Sequence, residues 1–135
     1  MIYLLDTNVC IRLLNNSSSA VKARIQLEQP EDIYISTITQ LELYYGAYRS
    51  VQQEKNLELL QRFCSQFTTI PLDPEAARIA GRIRAELAAS GKPIGPYDVQ
   101  IAAIAMANNL ILITHNTREF NRVNGLQIED WEEEV

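Results

Sequence analysis

Two short stretches of this chain are apolar from end to end and then stop at once in polar residues. Ile2-Tyr3-Leu4-Leu5 runs into Asp6-Thr7-Asn8, and Leu110-Ile111-Leu112-Ile113 runs into Thr114-His115-Asn116. A strand with one wet face alternates in polarity, whereas a run with no polar position is covered on both faces. Ile33-Tyr34-Ile35 is a third run of this kind, residues 67–72 fit a further strand, and a short last one lies near residues 126–128. Helical patterns lie between them. Residues 38–49 carry Leu41, Tyr44, Tyr45 and Tyr48 as a broad apolar stripe, with Ser36 or Thr37 as cap, and residues 54–65 repeat Leu57, Leu60 and Cys64. Asp73-Pro74-Glu75 opens a helix, with Pro at its first position, that carries Ala76, Ile79, Ala80, Ile83 and Leu87 and stops near Gly91. Such alternation predicts the α/β class: a three-layer α/β/α sandwich on a mainly parallel, roughly five-stranded sheet, with residues 1–135 as a single domain.

Composition narrows the function. At 47% hydrophobic and 21% charged residues, the chain reads as soluble and globular. It has no apolar run near the ~20 residues a membrane helix needs. MIYLLDTNV lacks the basic start of a signal peptide, and Cys10 and Cys64 form no CxxC motif. Two buried thiols and a cytoplasmic location are expected. No Gly-rich phosphate loop is present. A net charge of −5 argues against gripping nucleic acid by charge alone, so any such role needs a local basic patch or cations held by acids.

In an open parallel sheet, ligands sit beyond the carboxyl ends of the strands. Asp6 ends the first strand, Asn116 follows the fourth, and Glu42 lies in the second turn of the helix leaving the second strand. In GPYDVQIAAIAMA, residues 98, 101, 102 and 105 share one helical face, so Asp98 shares the face of Ile101, Ala102 and Ala105. That helix must descend from the carboxyl edge if the fourth strand is parallel, which places Asp98 at the same rim. Each residue has a plainer reading alone. Asp6 fits a helix cap, Glu42 a solvated helix residue, Asp98 a partner of the helix dipole, and Asn116 a turn. Together they form a cluster of like charges with no adjacent basic residue. Hard oxygen ligands without Cys or His suit Mg²⁺ or Mn²⁺, one or two ions, which activate water and stabilise the leaving oxygen in phosphodiester hydrolysis. Arg12, Lys92, Arg118 and Arg122 flank the rim and are candidates for phosphate contacts. His115 reads as an exposed loop residue, the Tyr44/Tyr45/Tyr48 group as core or dimer contact, and Glu132-Glu133-Glu134 as a solvated tail.

With these residues in place, the chain resembles the PIN-domain ribonucleases, and closely the VapC-type toxins of bacterial toxin–antitoxin pairs. The resemblance rests on LLDTNVCIRLL, ISTITQLELYYGA and PIGPYDVQIAAIAMANNLILITHNTREFNRVNGLQIEDW, in this order across essentially the whole chain. It implies a metal-dependent endoribonuclease that inhibits translation and growth, with Asp6, Glu42 and Asp98 as its acids. It also implies homodimerisation and a cognate antitoxin that docks over the active site. One position departs from the pattern: the family's fourth acid falls on Asn116, a neutral ligand that would hold a second ion more weakly. Thr114 matches the polar residue beside that position and is expected to orient the water. The competing readings are a non-catalytic PIN-fold binding module and a phosphoaspartyl phosphatase. The second fits poorly with Asp6-Thr7-Asn8, where haloacid-dehalogenase-like enzymes carry D-x-D.

Overall fold

The computed structural model describes residues 2–132. Five strands form one sheet: β1 (Tyr3–Leu5), β2 (Ile33–Ser36), β3 (Thr68–Ile70), β4 (Ile111–Ile113) and β5 (Ile128–Glu129). Their order is β3-β2-β1-β4-β5 and every pairing is parallel. Strands pair by backbone and alternate by side chain, so the apolar runs feed two cores. Leu4 and Leu112 point to one face, against α5 (Pro74–Ala89) and α6 (Pro96–Ala107). Tyr3, Leu5, Ile111 and Ile113 point to the other, against α1 (Thr7–Asn15), α2 (Ser19–Gln26) and α4 (Gln53–Cys64). This is the expected three-layer sandwich. Cys10 and Cys64 are free buried thiols in the second core.

Three elements differ from expectation. The helix α2, capped by the Ser18 side chain on Val21 N, buries only Val21 and so leaves little periodic signal. The four-residue α7 (Thr117–Phe120) is too short for a period to show. The helix α3 (Thr37–Tyr48) buries Ile38, Thr39, Leu43 and Ala47, while Leu41, Tyr45 and Tyr48 face outward. It is apolar nearly all round, so periodicity could not choose its inner face. The Ser36 cap and a buried Thr39 choose it instead.

The chain builds outward from β1 to β2 and β3, then crosses back to lay β4 on the other side of β1. The reversal point lies between β1 and β4, where a parallel sheet opens a crevice at its carboxyl edge. Asp6 N donates to Ile113 O at 3.0 Å across that seam. The residues directly after the two strands, Asp6 and Thr114, therefore sit side by side at the crevice.

Candidate active site

Asp6 is 4% exposed and does two jobs at once. One oxygen caps α1, accepting from Val9 N at 2.9 Å, so the plain cap reading is realised. The carboxylate also accepts a hydrogen bond from the Thr114 side chain, whose Oγ1 in turn accepts from Asn116 N at 3.0 Å. Burial holds the Asp6 carboxyl above its ordinary range, the Thr114 and Val9 hydrogen bonds pull it down, and the nearby charges of Glu132 and Glu42 push it up.

Glu42 is fixed from an unforeseen direction. The Thr7 hydroxyl donates to Glu42 Oε1 at 2.7 Å. Having spent its proton there, Thr7 Oγ1 can only accept from Thr39 Oγ1, 3.1 Å away, and the Ser36 hydroxyl donates to Thr39 at 3.3 Å. Ser36, Thr39, Thr7 and Glu42 thus form a chain of hydroxyls with one proton direction, ending on a carboxylate. Hydrogen bonds aligned this way strengthen one another in a buried setting. Apart from half-buried Glu42, every member is buried.

Asp98 stands in the first turn of α6, but the N-cap is Gly95 and no side chain caps the helix. Its first-turn place is the one its reading as a partner of the helix dipole requires, and it makes no capping bond. Its carboxyl is pushed up to about 6 by burial first and then by the carboxylates of Asp6, Glu42 and Glu119. Asp6, Glu42 and Glu119 thus act on Asp98, four acids at the crevice. The fourth is Glu119 of α7, which the sequence reading missed. Asn116 lies beside it, half-buried, and its Nδ2 donates to Glu119 Oε2 at 3.2 Å, leaving Oδ1 as its free ligand atom. The motif position carries an amide, while a carboxylate arrives three residues later. An acid one helical turn past a rim residue was the signal available.

The donor set is all oxygen, and the strongest charges acting on Asp98 are negative, so a hard divalent cation fits the crevice. Among the described residues, no three of these acids offer oxygens that all lie within 4.8 Å of one another. Mg²⁺ keeps several of its waters, so direct contact from every carboxylate is not required. Of the flanking cations, Lys92 and Arg118 are exposed and form no ion pair among the described residues. Arg122 donates to Pro93 O at 3.2 Å, and Arg12 lies 2.7 Å from Glu132. Glu132 is thus no part of a solvated tail: its side chain is 10% exposed. Glu133 and Glu134 lie outside the described residues. His115 is exposed, as expected, and bonded to Asp130.

Beside the acids, Ile11, Leu14, Leu43, Ala47, Leu59 and Leu60 line an open groove of about 270 Å³ whose wall includes Glu42. No helix among the described residues is long and apolar enough to cross a membrane.

The PIN domain pattern matches residues 3–126. The tRNA(fMet)-specific endonuclease VapC of Shigella flexneri is 45% identical over 96% of this chain and 97% of its own length. The protein of the same name from Salmonella typhimurium is 43% identical with the same coverage. The DNA-bound VapBC crystal structure from Salmonella typhimurium superposes with a TM-score of 0.91 at 42% identity, over 97% of this chain and 98% of that one. The chain belongs to the PIN-domain family, among its VapC members.

Proposed function

We propose that this protein is a divalent-metal-dependent endoribonuclease, the toxin of a toxin–antitoxin pair. The observation that carries the reading is the convergence of Asp6, Glu42 and Glu119 on Asp98 at the reversal point of the sheet, where burial first and then these three carboxylates raise the Asp98 carboxyl to about 6. Asp6 and Asp98 would hold Mg²⁺ or Mn²⁺ most directly, with Glu42 and Glu119 directly or through water and Asn116 Oδ1 as an auxiliary. When bound, such an ion supplies a Lewis acid that lowers the pKa of water and stabilises charge on the departing 3′ oxygen.

The chain's own residues orient the rest. The Thr7 hydroxyl anchors Glu42, and the Thr114 hydrogen bond favours the ionised form of Asp6 against the burial that raises it. Exposed Lys92 and Arg118 would take backbone phosphates of the substrate. The narrow rim favours RNA that is single-stranded or looped. Initiator tRNA is the first substrate to try, because relatives at 45% and 43% identity are named for it. Action on RNA and two reduced thiols fit a cytoplasmic setting.

The apolar groove beside Glu42 is the seat for the antitoxin. It is open, it abuts an acid of the site, and a relative of 42% identity is found as a VapBC complex. A partner lying there would reach the acids and block them. The exposed Leu41, Tyr45 and Tyr48 stripe of α3 is a separate surface, suited to a homodimer.

Incubating the purified chain with initiator tRNA and other RNAs, in Mg²⁺ or Mn²⁺ with and without chelator, tests the reading. Cleavage that needs the cation supports it. Cleavage indifferent to chelator, or none on any RNA, overturns it.

A further inference from the structure

We propose that His115, Asp130 and Glu132 form a second metal site, for a first-row divalent transition ion, at the carboxyl ends of β4 and β5 and outside the catalytic crevice. One ligand atom from each lies within 4.8 Å of the other two, the single such trio of His, Cys, Asp and Glu among the described residues. His115 follows β4 and Asp130 follows β5, so paired neighbouring strands set their spacing. Asp130 Oδ1 accepts from Glu132 N at 2.9 Å, which curls the chain so that both carboxylates return to His115.

The second observation is the state of Glu132. Its side chain is nine-tenths buried, yet Oε2 is sealed from solvent and has no hydrogen-bond partner among the described residues. Arg12 Nε, 2.7 Å from Oε1, is itself without a formed hydrogen bond, so that contact is charge proximity off the N–H direction. A buried carboxylate oxygen with nothing to accept is costly, and a cation relieves it. Asp130 is also largely buried, at 12%. Asp6 is close enough to Glu132 for their charges to interact, which adds negative charge beside this corner.

The donor chemistry separates this site from the crevice. An imidazole beside two carboxylates suits Mn²⁺, Zn²⁺ or their neighbours better than Mg²⁺. His115 Nδ1 and Asp130 Oδ2 are 2.9 Å apart. Two donors at right angles on an ion with bonds of about 2.1 Å lie about 3 Å apart, so an ion replacing the shared proton needs little movement. An ion there ties the turn after β5 to the loop after β4.

His115 is the sole histidine of the chain, which makes the test specific. The untagged full-length protein is titrated with Mn²⁺ and read by pulsed electron paramagnetic resonance for nitrogen-14 coupling. The wild type and Asp98→Asn are expected to show imidazole nitrogen on bound Mn²⁺, and His115→Gln to lose it while one class of bound Mn²⁺ remains. Glu132→Gln is expected to weaken the nitrogen-coupled class by tenfold or more. No nitrogen coupling in the wild type at saturation, coupling that persists in His115→Gln, or half-saturation above about 1 mM overturns the proposal.

Discussion

Thr7 Oγ1 donates to Glu42 Oε1 at 2.7 Å, joining the first turn of α1 to the second turn of α3 across 35 residues of sequence. Because β1 and β2 are neighbours in register, the helices that leave them are held side by side, and a hydroxyl on one fixes an acid on the other. The acid's position is thus decided by the sheet and not by its own helix.

Removing that hydroxyl should mislay Glu42 without unfolding the chain. Thr7→Val is expected to cut metal-dependent RNA cleavage ~10–100-fold, the usual effect of losing a hydrogen bond that orients a metal-site ligand. Thr7→Ser should restore most of it. Initial rates of the three proteins under one Mg²⁺ concentration check this.

Thr114 acts on Asp6 in the same manner, but its effect appears on the pH axis. Its hydrogen bond lowers a carboxyl that burial has raised. Without it, Asp6 stays protonated to higher pH. The acid limb of the pH–rate profile of Thr114→Val should therefore move to higher pH, with the wild-type limb regained in Thr114→Ser.

The acids also set how the metal-free fold responds to pH. Asp98 is raised from 3.8 to about 6. Between those values the folded chain binds more protons than the unfolded one, so stability falls as pH rises from about 4 to about 6. Asp98→Asn should flatten that fall, and above the window it should be more stable than wild type by about 1 kcal/mol once solvent screening is allowed for. Thermal melts in chelator across pH measure it, and a drop in Tm for Asp98→Asn above pH ~6 would contradict it.

Glu119 and Asn116 divide what the motif gives to one acid. Glu119→Gln should raise the Mg²⁺ concentration for half-maximal cleavage by ~10-fold. Asn116→Asp should lower it, by adding a charged ligand. Rate against Mg²⁺ for each variant distinguishes the two.

The architecture and three of these acids were legible because their signals are local. Apolar runs ending in Asp6 and Thr114 announce covered parallel strands and the rim beyond them, and small apolar residues behind Asp98 announce a buried helix headed by an acid. The remainder depends on what the fold brings together. Glu119 sits on a helix of one turn, where no period exists to read. The Thr7–Glu42 bond needs the neighbouring strand to be known first. The inner face of α3 is chosen by Thr39, a polar residue at 0% exposure that hydropathy would place outside. Glu132 looks like the start of an acidic tail. Trp131 packs edge-on to Tyr3 with centroids 5.0 Å apart, and this draws Glu132 back to the rim.

If the clustered acids hold a cation for RNA cleavage and do not stabilise the fold, removing one must separate activity from stability. The most direct measurement is the cleavage rate of wild type and Asp98→Asn on the same RNA under a Mg²⁺ titration, with the melting temperature of each in chelator. Asp98→Asn is expected to lose cleavage by orders of magnitude at every Mg²⁺ concentration while melting at or above wild type. A variant that melts well below wild type yet still cuts RNA would contradict it.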